Sequence, residues 1–396
     1  MTRSGKDAEA RLYMEKAELG RLIDILKQQG YTVIGPMVQE GVVRLGVINN
    51  PDELAGGVVD DQEGGHYRLR SGDPRMYFDT VVGPDSPKRY FSPMEEELFT
   101  FHVKDKQFVI DKGTADPPRL AFIGVRPCEL AAMDLLDRAH GYDDRTTFRC
   151  ESDPYYGEAR RHSLFIAVHC TRPGGTCFCE SMGTGPRAKT GFDLALTELD
   201  GGFVIDVGSD RGEALANDLS LRGATESEQE TATLKLDQAR ENMGRRLNTD
   251  GIVDLLNQTI DDPTWDEIAT RCLSCGNCTL VCPSCFCCTV SDTTDLSGTS
   301  VTRTRRWDSC FTHEFSYTTG GPQRHSVRGR YRHWLRHKLG TWWEQFGTSG
   351  CVGCGRCITW CPVGIDLTSE VDALRKTHSG VTKNRPPSTG QKEFDV

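Results

Sequence analysis

Hydrophobic positions recur along this chain in two rhythms, one helical and one strand-like, and the rhythms divide it. In residues 9–30, Leu12, Leu19, Leu22, Ile23 and Leu26 fall on one side of a helix that stops near Gly30. Tyr31–Pro36 and Val42–Ile48 read as strands. Leu120–Val125 is apolar throughout and reads as a buried strand, followed by Arg126-Pro127-Cys128 and a helix over about 129–139. Ser163–Val168 is a further strand that runs into His169-Cys170. Strands alternating with helices predict an N-terminal mixed α/β domain over 1–207. Ala, Glu, Leu, Gln and Arg at helical spacing then predict a helical linker over 208–262. The polar tail 376–396, with Pro386-Pro387, is expected to be disordered.

Composition changes this picture little, except in one residue type. A chain of 396 residues, 37% hydrophobic and 26% charged, suits roughly two to three packed domains. No stretch approaches the ~18 apolar residues of a membrane span. Met1–Asp7 lacks the apolar core of a secretory signal, so the expected location is cytoplasmic, with no membrane contact. A net charge of −10 argues against a nucleic-acid partner. The 17 cysteines, in a chain without a signal, read as metal ligands kept reduced.

Eight of them form one motif written twice: Cys272-x2-Cys275-x2-Cys278-x3-Cys282-Pro283 and Cys351-x2-Cys354-x2-Cys357-x3-Cys361-Pro362. Each copy is the bacterial ferredoxin run, whose fourth cysteine ligates the other cluster. The assignment is therefore crossed. Cys272, Cys275, Cys278 and Cys361 take one [4Fe-4S] cluster, and Cys351, Cys354, Cys357 and Cys282 the second. Zinc also accepts four thiolates, but its sites rarely need eight crossed cysteines. The expected fold class is α+β: the mixed α/β domain, then a helical, ferredoxin-like dicluster domain over 263–375 with a long basic insertion, 283–350.

Two further cysteine groups carry open readings. Cys128 and Cys170 each follow a buried strand, and Cys177-Phe178-Cys179 lies just beyond. If the two strands share a parallel sheet, their carboxyl ends meet on one edge, where ligand sites of such sheets form. The four thiols are a candidate third cluster site; alternatively Cys128 and Cys170 are small buried residues. Cys150 has no partner at useful spacing and reads as inert. Cys285, Cys287, Cys288 and Cys310 could tune the nearby cluster, ligate a further metal, or line the packed wall of a helix opened by Cys282. In the insertion, Arg303, Arg305, Arg306, Arg324, Arg328, Arg330, Arg332, Arg336 and Lys338 interleave with Trp307, Tyr331, Trp334, Trp342 and Trp343. That mixture suits a partner subunit and cluster charge, or else a solvated face. Nucleic-acid binding is weighed against it and disfavoured by the acidic remainder.

There is no G-x-G-x-x-G after a strand and no P-loop, so no flavin or NAD(P) site is evident. Gly124–Ala132, Cys170, Thr176–Pro186, Cys282–Cys287, Trp307–Cys310 and Cys351–Cys357 resemble signatures of the iron–sulfur beta subunit of soluble cytoplasmic [NiFe] hydrogenases, or sulfhydrogenases. They are similar also to the A subunit of anaerobic sulfite reductase. The resemblance spans about 17–372, with Glu129 where the family usually has Asp. It implies a non-catalytic relay between a flavin/NAD(P)-binding diaphorase-type subunit and the catalytic and small subunits of a hydrogenase or sulfite reductase complex. No catalytic residue is expected. Arg356 and the Gly353–Gly355 amides are candidates for tuning, with Cys285, Cys287 and Cys310 around them. Two other classes stay open: a catalytic oxidoreductase using the Cys128/Cys170/Cys177/Cys179 centre, and an iron–sulfur structural or nucleic-acid-binding protein.

Overall fold

The computed structural model describes residues 11–104, 107–112, 117–142, 152–219 and 221–383; Cys150 lies outside them. Four parallel strands form the middle of an eight-stranded sheet: Thr32–Gln39, Leu120–Val125, Leu164–Val168 and Leu194–Glu198, side by side in that order. Leu120–Val125 and Leu164–Val168 are buried at every position, as strands covered on both faces must be. Their parallel pairing puts Cys128 and Cys170 just beyond the same carboxyl edge. Val42–Val47 flanks one side antiparallel, and Gly202–Val207, Leu12–Glu15 and Arg222–Gly223 the other.

The mixed α/β body with a cysteine-rich C-terminal half is as expected, but several boundaries differ. Leu12 does not belong to the first helix. Leu12–Glu15 is a strand paired with Gly202–Ile205, and the helix runs Glu18–Gln28, because backbone pairing beside a buried Tyr13 and Met14 overrides the helical period there. The segment 208–262 is more than a linker: Arg222–Gly223 joins the main sheet, and the helix Glu226–Glu241 buries Ala232 against Tyr13 and Val204. At the other end, the helix Leu367–Lys383 carries order past residue 376, while 384–396 lie outside the described residues.

The basic insertion is part of the same framework. Its strands Cys288–Thr294 and Ser300–Trp307 join Glu95–Lys104 and Gln107–Lys112 in an antiparallel sheet, so the two halves of the chain share one ladder. The arginines expected to face a partner have partners at home: Arg303 with Asp292, Arg305 with Glu96 and Asp153, Arg306 with Glu95, Arg328 with Asp266. Around the cysteine loops pack the helices Ile252–Gln258, Thr264–Arg271, Val327–Arg336 and Leu367–Lys383, on a core that includes Leu256, Trp265, Ile268, Trp334 and Val371. No helix of the described residues is long and apolar enough to cross a membrane.

Candidate metal centre

The two cysteine loops share one backbone solution. Each ends in a single helical turn, Asn277–Leu280 or Arg356–Thr359, entered through a left-handed glycine, Gly276 or Gly355, both at φ 78°. Two residues earlier the backbone is left-handed again, at Ser274 (φ 55°) and Gly353 (φ 67°). These reversals turn the chain around its own cysteines. The Ser274 N–H donates to Cys272 Sγ at 3.4 Å and the Gly353 N–H to Cys351 Sγ at 3.5 Å, while the Ile365 N–H reaches Cys361 Sγ at 3.3 Å. N–H groups aimed at sulfur favour the thiolate form that binds metal. Neither fourth cysteine opens a helix. After Cys282-Pro283 the chain turns and enters Cys288–Thr294, so the helical wall expected for Cys285 is a loop.

Cys272, Cys275, Cys278 and Cys361 line one open-mouthed cavity with Cys357, Phe311, Tyr331 and Trp334. Cys275 is exposed. Cys282 lies with the second run instead: the Ser284 hydroxyl is 3.4 Å from Cys282 Sγ and donates to Gly350 O at 2.8 Å, one residue before Cys351. Burial pushes the Cys351 thiol up to about 12, and it raises Cys278 and Cys357 as well, with neighbouring thiols adding to it. Ligation to metal must therefore release these protons.

At the sheet edge, Cys128 stands on the first turn of the helix Pro127–Ala139, which Pro127 opens and Glu129 caps by accepting the Arg126 N–H at 3.0 Å. Cys128, Cys177 and Cys179 are buried in one apolar cluster with Val352, Trp342 and Cys354 of the second half; Cys170 is half-buried beside them. Burial is the main reason all four thiols are raised. The loop around Cys177 lies directly on the second cysteine loop. Phe178 N–H donates to Gly353 O at 2.9 Å, Thr184 Oγ1 to Val352 O at 2.6 Å, and Cys177 Sγ is 3.9 Å from Cys354 O. A Cβ on Gly353 would stand 2.6 Å from Phe178 O, and one on Gly355 2.5 Å from Thr176 O.

Arg356 joins the two cysteine groups. Fully buried, it donates to Gly83 O and Asp85 O, both at 2.7 Å, and pairs with Glu129, the capping carboxylate beside Cys128. Its charge also favours the thiolate form of Cys354. Its Nη1 is buried without a protein partner, as are Tyr331 OH and Trp334 Nε1 at the first cavity. Such donors, with four soft thiols per group, fit an anionic iron–sulfur cluster. Among the described residues no three metal-ligating side chains crowd around one point as a single ion requires; a cubane instead spreads its ligands around a larger body. The sequence did not mark Lys88, now buried beside Cys282 and Cys285. Only its place just before Tyr90-Phe91 hinted at burial.

Paired cysteine loops with sulfur-directed amides define an iron–sulfur protein. Residues 271–365 match the 4Fe-4S dicluster domain family. The chain as a whole is similar to sulfhydrogenase 2 subunit beta of Pyrococcus furiosus, 28% identical over 354 residues, covering 89% of this chain and 94% of that one. The resemblance drawn from the motifs is thereby borne out. No solved structure matches.

Proposed function

We propose that this chain is the electron-transfer subunit of a soluble, cytoplasmic hydrogenase or related reductase complex, passing single electrons between a flavin/NAD(P)-binding subunit and a catalytic one. The observation that carries this reading is a succession of thiols from the sheet edge to the surface. Cys128, Cys177 and Cys179 lie at the sheet edge, Cys354 packs against them, Cys357 borders the first cavity, and Cys275 faces solvent. Partner subunits of the hydrogenase kind are supported by the relative's name.

Cys272, Cys275, Cys278 and Cys361 would hold one [4Fe-4S] cluster in ferredoxin-like surroundings; Cys351, Cys354, Cys357 and Cys282 a second; Cys128, Cys170, Cys177 and Cys179 a third. When bound, such clusters would supply reversible one-electron acceptance at thiolate-bound iron. The chain's own residues do the rest. Val352, Trp342 and Phe346 keep water from the sheet-edge thiols, and Arg356 fixes a positive charge between Cys354 and Cys128. The amides of Ser274 and Gly353 hold sulfur charge in each loop.

Cys354→Ala tests the reading in the assembled complex. One cluster's EPR signal should vanish and nicotinamide-linked turnover should fall by more than the roughly 10–100-fold that loss of an outer-shell partner costs, while dye-linked activity of the catalytic subunit persists. Retained nicotinamide-linked turnover would overturn it.

A further inference from the structure

Beside Cys282 lies a pocket that the two cysteine runs explain only in part. Two ammonium groups are buried there, Lys88 at 4% and Lys338 at 5% exposure. Lys88 Nζ donates to Cys282 O at 3.0 Å and Cys285 O at 3.1 Å, and stands 3.8 Å from the ring centroid of Trp307. Lys338 Nζ donates to Ser284 Oγ and Gly350 O, each at 3.0 Å. Among the described residues no carboxylate pairs with either lysine. Neutral oxygens satisfy hydrogen bonds but not charge, and burying an ammonium without a counter-charge costs several kcal/mol.

What faces the lysines is sulfur. Cys285 and Cys287 stand half-buried on the loop whose carbonyls bond Lys88. Cys310 is buried, and the Asp308 N–H, two residues before it, donates to Cys287 O at 2.9 Å, which fixes the two strands of chain together. Cys282 belongs with the second run, so Cys285, Cys287 and Cys310 remain. Packing alone would account for one buried and two half-buried cysteines. It does not account for Lys88, which faces Cys285 and Cys287, whereas Lys338 also faces Cys282 and Cys351, so the second run meets part of its charge.

We propose that Cys285, Cys287 and Cys310 ligate an additional iron–sulfur cluster, and that its negative charge is what Lys88 and Lys338 are buried against. Three soft thiolates at this spacing leave one iron for a ligand other than cysteine. The assignment rests on Cys282 belonging to the second run, but not on the relay or its partner subunits.

The test is iron and acid-labile sulfide per chain, measured on the full-length protein purified without air. Cys285→Ser, Cys287→Ser and Cys310→Ser should each lose the same increment, about four iron and about four sulfide, one cubane's worth. The EPR signals of the two runs should persist in each. Cys288→Ser, at the exposed next position, should lose nothing. Should a cysteine variant fail to fold, Lys88→Met, which keeps every thiol, should lower the same increment or move its EPR signal. Unchanged iron and spectra in the folded variants would overturn the proposal, as would one zinc per chain at these cysteines or a Cys287–Cys310 disulfide in the airless protein.

Discussion

At the scale of single residues, charge is placed with little waste. Glu129 does two jobs with one carboxylate: it caps the helix that carries Cys128 and neutralises Arg356, which reaches from the second cysteine loop. A shorter Asp at this position would have to bring the two elements closer to do the same. Further out, His333 and His337 stack with ring centroids 5.7 Å apart on the helix Val327–Arg336 and the turn that follows it. Burial, then the cations Arg324, Arg336 and the paired His337, lowers His333 to about 4; burial and Lys338 lower His337 to about 4. Both are thus neutral when folded, whereas the unfolded chain takes up protons near pH 6.5. Stability should be fully present above about 6.5 and fall as pH drops toward about 4. Thermal melts of the His333→Gln/His337→Gln variant should show a flatter pH dependence across that window; an unchanged slope would sink the account.

The two cysteine loops are the same element solved twice with different neighbours. In the first, the left-handed position is Ser274, whose hydroxyl earns its strained backbone by bonding Phe311 O at 3.3 Å and accepting from Arg330 Nε at 3.1 Å. In the second it is Gly353, because the Phe178 carbonyl leaves no room for a Cβ. Gly353→Ser should therefore fail where the first loop already carries serine. We expect a loss well above the ~1 kcal/mol of a strained αL residue, read as a lowered Tm and lost iron, while Ser274→Gly keeps its iron. The cysteine spacing makes the loops legible in the sequence, and two apolar runs mark the strands Leu120–Val125 and Leu164–Val168, whose pairing the sequence leaves as a condition and the sheet fulfils. Ser300–Trp307 pairs with a strand about two hundred residues earlier, and no local period announces such a partner. Lys88 was illegible for a related reason: an isolated lysine signals exposure, and only the distant Cys282 and Cys285 carbonyls bury it.

For the whole molecule, the N-terminal and C-terminal halves are not separable bodies. They share the Glu95–Lys104/Ser300–Trp307 ladder, the Phe178–Gly353 backbone contact, and the buried Arg356–Glu129 pair. Breaking a buried pair by removing one partner costs about 3–5 kcal/mol. A fragment beginning at residue 263 leaves Arg356 without Glu129 and Ser300–Trp307 without its inner neighbour. That fragment should aggregate or bind markedly less iron than the same residues do in the full chain, measured per mole after airless purification. A soluble fragment with full iron would show the halves to be independent.

The shared ladder also sets a timetable. Glu95–Lys104 leaves the ribosome long before Ser300–Trp307 exists to cover it, and the Cys128 and Cys177 pockets have no lid until Trp342 and Val352 follow. Nascent chains therefore carry open thiols and an unfinished sheet edge through most of their synthesis. Iron delivery is a finishing step for this protein, and a cell short of iron or exposed to oxygen would lose it at birth more readily than in maturity.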